Sequence, residues 1–261
     1  MTRLARRAAA LLLALAARAG AQTATSTAPA ARAISAPAAV PLVVGERLDY
    51  DVRFGPLKVG RARMEVTGID TVRGIDAWHT VFTVRGGTFF YRVNDVLESW
   101  IDTSHFASLR FHQHLAEGNR ERDYRYEIFP DSARYVPLGK PSEPSVADPL
   151  DDASFLYFVR TLPLEVGKEY SFDRYFRPDR NPVRLIVLRR ERVTVPAGTF
   201  DAIVVRPIIK TRGIFSEGGQ AQIWLSDDAR RMLLQLKSNL SFGSLNLYLT
   251  SYDTGKEPAH P

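Results

Sequence analysis

The sequence predicts a mainly β fold: a strongly curved antiparallel sheet or incomplete barrel of about a dozen strands, with one short helix in its concavity. Three observations predict it. Short alternating segments separated by turn residues recur along most of the chain, the pattern that hairpin-connected strands give. A 3.6-residue apolar period occurs in only one stretch, within Asp148–Phe172. A sheet of so many strands does not stay open and flat; it curls or splits. A helix of about three turns is marginal in water, so it needs that curved sheet to lie on.

Residues 1–21 read as a cleaved secretory signal: Arg3, Arg6 and Arg7 form a positive n-region, Ala8–Ala17 is an apolar stretch too short to span a bilayer, and Ala-x-Ala patterns follow. Residues 22–41, rich in Ala, Thr, Ser and Pro, read as a disordered linker. A single β domain then spans 42–253, and 254–261 is a disordered tail. The chain has no cysteine, hence no disulfide and no lipid-bearing thiol. The expectation is an exported, periplasmic protein that is not a lipoprotein, with no transmembrane segment.

Four of the six net positive charges are Arg3, Arg6, Arg7 and Arg18. The folded part is therefore close to neutral, with Arg interleaved among Asp and Glu. That balance argues against a nucleic-acid footprint and against a strong field for acidic substrates.

Glu46–Phe54 opens the domain with Leu48, Tyr50, Val52 and Phe54 alternating against charged residues. Gly55-Pro56 turns the chain into Leu57–Ile69, where Gly60 marks a bulge or a close approach. Ile75–Arg85 follows and Gly86-Gly87 is expected to break it; Phe89–Val93 fits neither state, and Val96–Asp102 alternates again. Leu109–Glu117 and Arg120–Phe129 flank Gly118-Asn119, a two-residue hairpin connection whose residues both tolerate positive φ. After a short strand at Ala133–Val136, the loop to Pro149 carries Pro137, Pro141, Pro144 and Pro149 and reads as extended and solvent-facing.

The helix comes next. Asp151 or Asp152 can cap it, Phe155, Phe158, Val159 and Leu162 form its apolar stripe, Arg160 sits in the last turn and Pro163 ends it. Strands resume over Gly167–Arg177, Val183–Val195, Phe200–Lys210, Ala221–Leu225, Met232–Asn239 and Leu245–Tyr252, with Glu217-Gly218-Gly219 as a flexible loop.

In order, GERLDYDVRFGPLKVGRARMEV, DPLDDASFLYFVRTLPLEVG, VTVPAGTFDAIVV and IWLSDDARRMLLQLKSNLSFGSLNLYL resemble the bacterial exported family called domain of unknown function 3108, across nearly all of Leu42–Tyr252. The resemblance implies an antiparallel curved sheet like that of periplasmic lipoprotein carriers. It implies no catalytic residues, because that family has no established activity.

The residues themselves offer little chemistry. His112 and His114 share one strand face with His105 upstream, but two imidazoles fall short of a zinc site unless Glu117 completes one. Asp49 and Asp51 share a face with Arg47 and Arg53, an ion-pair ladder rather than a glycosidase pair. Asp227-Asp228 has turn chemistry. No G-x-S-x-G elbow, phosphate loop or dinucleotide fingerprint occurs.

What remains is the aromatic content. Trp100, Phe155, Tyr157, Phe158 and Trp224 are the candidate lining of an apolar cavity. The expectation is a non-enzymatic envelope protein, without cofactor or metal, that binds a lipid or other apolar small molecule between sheet and helix. The alternatives are a structural module that pairs with other envelope proteins and, further off, an envelope hydrolase.

Overall fold

Alternation does become strand, and nearly all of it joins one sheet. The computed structural model describes residues 42–88, 91–210, 221–240 and 243–255. The stretches expected to be signal and linker, most of the expected tail and the expected loop around Gly218 lie outside the described residues.

Eight strands precede the helix: β1 (Glu46–Phe54), β2 (Leu57–Val72), β3 (Ile75–Thr88), β4 (Tyr91–Asp102), β5 (Ser108–Glu117), β6 (Arg120–Phe129), β7 (Arg134–Pro137) and the two-residue β8 (Glu143–Pro144). Helix α1 (Ser154–Val159) is followed by β9 (Glu169–Phe172), β10 (Val183–Val195), β11 (Gly198–Ile208), β12 (Gln222–Ser226), β13 (Leu233–Leu240) and β14 (Gly243–Thr254). They form a single 14-stranded sheet, ordered β8 back to β1, then β14 back to β9. All strand pairs are antiparallel, and β1 joins β14 from Glu46↔Thr254 to Phe54↔Leu245. Two meanders, one from each half of the chain, are thus joined along the first and last strands.

The two free edges are β8 and β9, and the sheet does not close by pairing them. The chain that leads into α1 crosses the gap instead. Leu150 N–H donates to Arg174 O (2.5 Å), Phe176 N–H to Leu150 O (2.8 Å) and Ser145 Oγ to Phe176 O (2.7 Å). Among the described residues, one parallel bridge, Leu150↔Tyr175, is the ladder at this seam.

Several sequence expectations change here. The proline-bearing loop before α1 is not wholly solvent-facing: it carries β8, and Pro149 and Leu150 are buried. Gly86-Gly87 does not break β3, because Gly86 sits opposite Gly60 and a side chain on Gly60 would meet Arg85 O at 2.5 Å. Two facing glycines let β2 and β3 approach without interruption. Only Gly118 of the Gly118-Asn119 connection takes positive φ (61°), the arrangement of a II′ turn with glycine first.

The helix is six residues long, shorter than its apolar period, because the chain tightens through Arg160 N→Tyr157 O, Thr161 N→Phe158 O and Leu162 N→Val159 O. All six residues are buried, so α1 has no solvent face. It is a plug set in the concavity rather than an amphipathic lid. Among the described residues no helix is long and apolar enough to cross a membrane.

The core is the inner face. Leu48, Tyr50 and Val52 of β1, Met64 and Val66 of β2, Phe82 and Val84 of β3 and Leu245, Leu247 and Leu249 of β14 pack in one cluster with the residues of α1. Arg160 at the end of α1 is wholly enclosed and pairs with Glu46 at the start of β1, Nη1–Oε1 2.6 Å and Nη2–Oε2 2.7 Å. The same guanidinium donates to Arg230 O (2.8 Å). Removing one partner strands a buried charge, which costs about 3–5 kcal/mol, whereas removing both together often costs little. Urea unfolding of Glu46→Gln, of Arg160→Met and of Glu46→Leu/Arg160→Met should show each single change strongly destabilising and the double change well below their sum. Simple additivity would mean that the pair does not couple helix to sheet.

Candidate functional site

The concave interior is the place to look, and β4 organises it. Residues 93, 95, 97, 99 and 101 of this strand face inward, yet two of them are polar: Val93, Asp95, Leu97, Ser99, Ile101. Each polar interruption marks a distinct part of the interior.

Ser99 belongs to the plug. Its hydroxyl donates to Asp151 Oδ2 (2.5 Å), and Asp151 Oδ1 accepts the backbone N–H groups of Ala153 and Ser154, both at 2.8 Å. Asp151 N–H donates in turn to Ser154 Oγ (2.8 Å) and Ser108 Oγ (3.2 Å). Of the two acids expected to cap the helix, Asp151 binds the backbone N–H groups at its entry from two residues ahead of the cap position Ala153, and also fastens it to β4 and β5. Its neighbour Asp152 accepts from Tyr175 Oη (2.7 Å), which accepts from Arg180 Nη1 (2.7 Å), tying the helix entry to the seam. Complete burial raises the Asp151 carboxyl to about 6, against the lowering effect of its hydrogen bonds to Ser99, Ser154 and Ser108.

Asp95 lies nearer the opposite end of the interior, where β5 turns into β6. It pairs with Leu115 of β5 and Val84 of β3, both core residues. Glu117, the last residue of β5, faces the same way and pairs with Val93. Both are almost completely buried, at 0% and 3% exposure. Asp95 Oδ1 accepts Ala116 N–H (2.9 Å), and Arg122 Nη2 donates to Glu117 Oε2 (2.5 Å). Burial first, then the charge of Glu117, raises Asp95 to about 7; burial also raises Glu117, opposed by Arg122.

The five aromatic candidates do not converge. Phe155, Tyr157 and Phe158 are packed in the plug: Phe158 meets Phe106 and Phe172 (ring centroids 5.9 and 5.2 Å), and Tyr157 Oη donates to Glu65 O (3.3 Å). Trp100 has the opposite parity on β4. It stacks on His79 (4.3 Å), takes the edge of His112 (5.0 Å) and donates Nε1–H to Asp70 (2.8 Å). It packs apart from the main core, with Val72, Ala77 and Leu109. Trp224 lines up with Gln235, not with the inward Ile223–Leu236 pair; it donates to Glu191 (2.6 Å) and lies under Lys237 and Arg189. Both tryptophans belong to the convex side, because their strands alternate and their neighbours in sequence take the inner face.

The other titratable candidates also face outward. Asp49 pairs with Arg63 and Arg47, and Asp51 with Lys58 and Arg53, the ladder their spacing suggested. His114 faces Glu121 and His105 faces Asp102. Among the described residues no three His, Asp or Glu side chains are gathered to hold a metal. Glu117 points inward, away from His112 and His114, which have the opposite parity on β5.

Asp95 escaped the sequence reading, although a signal existed. VNDVL carries Asp95 on the parity of Val93 and Leu97, and HQHLAE carries Glu117 on the parity of Leu115. An acid on the apolar parity of a strand is unusual enough to single out.

Residues 49–250 match the family model described as Protein of unknown function (DUF3108). The chain belongs to that family. Comparison with curated protein sequences found no match. Among solved structures, this DUF3108 chain is similar to a beta-barrel-like protein of domain of unknown function DUF1849 from Brucella abortus: 11% identity over 81% of this chain and 98% of that one, TM-score 0.54. That likeness is one of fold alone. A candidate lipoprotein from Parabacteroides distasonis (13% identity, 81% and 96% covered, TM-score 0.36) and a candidate exported protein with YmcC-like fold from Bacteroides fragilis (11%, 80% and 96%, 0.30) are too distant to carry an argument.

The raised carboxyl of Asp151 makes a stability prediction. In the unfolded chain an Asp titrates near 3.9, so from about pH 4 to 6 the folded state holds a proton that the unfolded state has lost. Stability on this account is greatest at low pH and falls by about 3 kcal/mol as pH rises through that window, then stays at the lower level. Asp151→Asn keeps the oxygen that accepts the two N–H groups, so it should fold and make that segment clearly less steep, with the raised Asp95 supplying the slope that remains, read by urea unfolding at stepped pH. An unchanged slope would place the proton elsewhere.

Proposed function

We propose that this protein is an exported, non-enzymatic envelope protein that holds a lipid or other apolar molecule inside its curved sheet. The observation that supports the reading is the asymmetry of the interior. One end is stopped by α1, pinned through Asp151 and Arg160. Toward the other end the inner face continues as the buried aliphatic side chains of Val52, Val84, Val93 and Leu245, beyond the only α-helix among the described residues. A concave apolar surface with a built floor is the kind of place where small apolar ligands bind. Export rests on the basic and apolar pattern of residues 1–21.

The alternatives have less behind them. A module that pairs by its edges would present a long free strand, whereas β8 is two residues with a proline and β9 is four residues. The hydrolase reading rested on the histidines and Asp49, and these side chains face outward.

Protein purified without detergent from an envelope fraction, then extracted with chloroform–methanol, should release an apolar species in near-stoichiometric amount by mass spectrometry. A clean blank, with no uptake of added decanol by calorimetry, would end this reading.

A further inference from the structure

The two polar interruptions on the inner row of β4 are treated differently by the chain. Ser99 is answered by Asp151 of the plug. Asp95 is not answered: its Oδ2 is buried without a hydrogen-bond partner, and so is Oε1 of Glu117 on the neighbouring strand. An unpaired buried acceptor of this kind costs about 1–3 kcal/mol, more when charged. These two acceptors lie on neighbouring strands, on side chains at 0% and 3% exposure facing the interior, beside the buried and likewise unpartnered Nε of Arg122.

Charge narrows the chemistry of the donor. The groups facing the pair are Arg122 on β6, bonded to Glu117, with Arg120 at the turn; the inward residue of β3 opposite Asp95 is the uncharged Val84. One paired cation against two carboxylates leaves an excess negative charge when both are ionised. An anionic head group would be repelled there, a hydroxyl would offer a single hydrogen, and an ammonium offers three donors and the missing charge.

We propose that Asp95 Oδ2 and Glu117 Oε1 form a polar subsite for the ammonium head of an amphiphile whose chain lies against the aliphatic inner face. This rests on the apolar-ligand reading above and adds the class of head group. The walls beside the subsite, Val84, Val93 and Leu115, suit the first carbons of such a chain. Because Asp95 titrates at about 7, the subsite gains its full charge only above neutrality, and a bound cation pulls that titration down.

The test uses the whole mature protein and chain-matched probes below their micellar concentrations: decylammonium, decanol and decanoate, titrated by calorimetry at pH 8 and pH 6. Decylammonium should bind about tenfold or more tightly than decanol at pH 8, with the advantage shrinking at pH 6 and decanoate weakest. Asp95→Asn and Glu117→Gln should each erase most of the preference for decylammonium over decanol. Should either variant fail to fold, carboxyl carbon NMR of the unaltered protein decides: saturation with decylammonium must lower the Asp95 titration. Decanol bound as tightly as decylammonium, or an unmoved Asp95 titration, overturns the subsite and leaves the apolar cavity standing. Failure of all three probes to bind overturns both.

Discussion

Everything in this molecule depends on the pairing of β1 with β14. Without it the chain would be two separate meanders, each with an exposed inner face and no partner to close against. With it, the apolar rows of both halves become one continuous surface, from Val84 and Met64 through Tyr50 to Leu247 and Leu236. Curvature then follows from the twist that many adjacent strands accumulate. The helix segment, midway along the chain, falls between the two edges that remain. Its ion pair with Glu46 anchors the plug to the very strand at which the halves meet.

Burying an arginine is expensive unless every donor finds an acceptor. Arg160 meets that demand with a bidentate carboxylate and a backbone carbonyl. Asp151 meets the corresponding demand at the other end of the helix with two amides and a hydroxyl. A six-residue helix with no solvent face has almost no intrinsic stability. These directional contacts fix its position, while the apolar contacts of Phe155 and Phe158 would be satisfied by several arrangements. Against that thoroughness, the incomplete bonding of Asp95 and Glu117 stands out within the same inner face.

Much of the fold was legible because strand alternation is a local property. Leu48, Tyr50 and Val52 announce which side is inward before any partner is known. The single helix, its Asp151 cap and the outward ladder of Asp49 and Asp51 were readable on the same basis. Side selection for isolated aromatics was not. Trp100 and Trp224 have large apolar area, but a tryptophan can cover a convex face when its N–H reaches a carboxylate, as both do here with Asp70 and Glu191. Grouping them with Phe155, Tyr157 and Phe158 followed residue type and ignored parity. The fate of Gly86 was likewise invisible, since the close approach to Gly60 depends on a strand some two dozen residues earlier in the chain. Nothing local in Arg160 says that it will be enclosed; its partner is more than a hundred residues away.

The register Glu46↔Thr254 has a bearing on how the chain is made. A contact spanning roughly two hundred residues is the last that an emerging polypeptide can form, and closing so long a loop is slow. The β14-facing edge of β1 must wait, its hydrogen-bonding groups unpaired, until the final strand has been made. A molecule wired this way is held back from premature completion by its own connectivity.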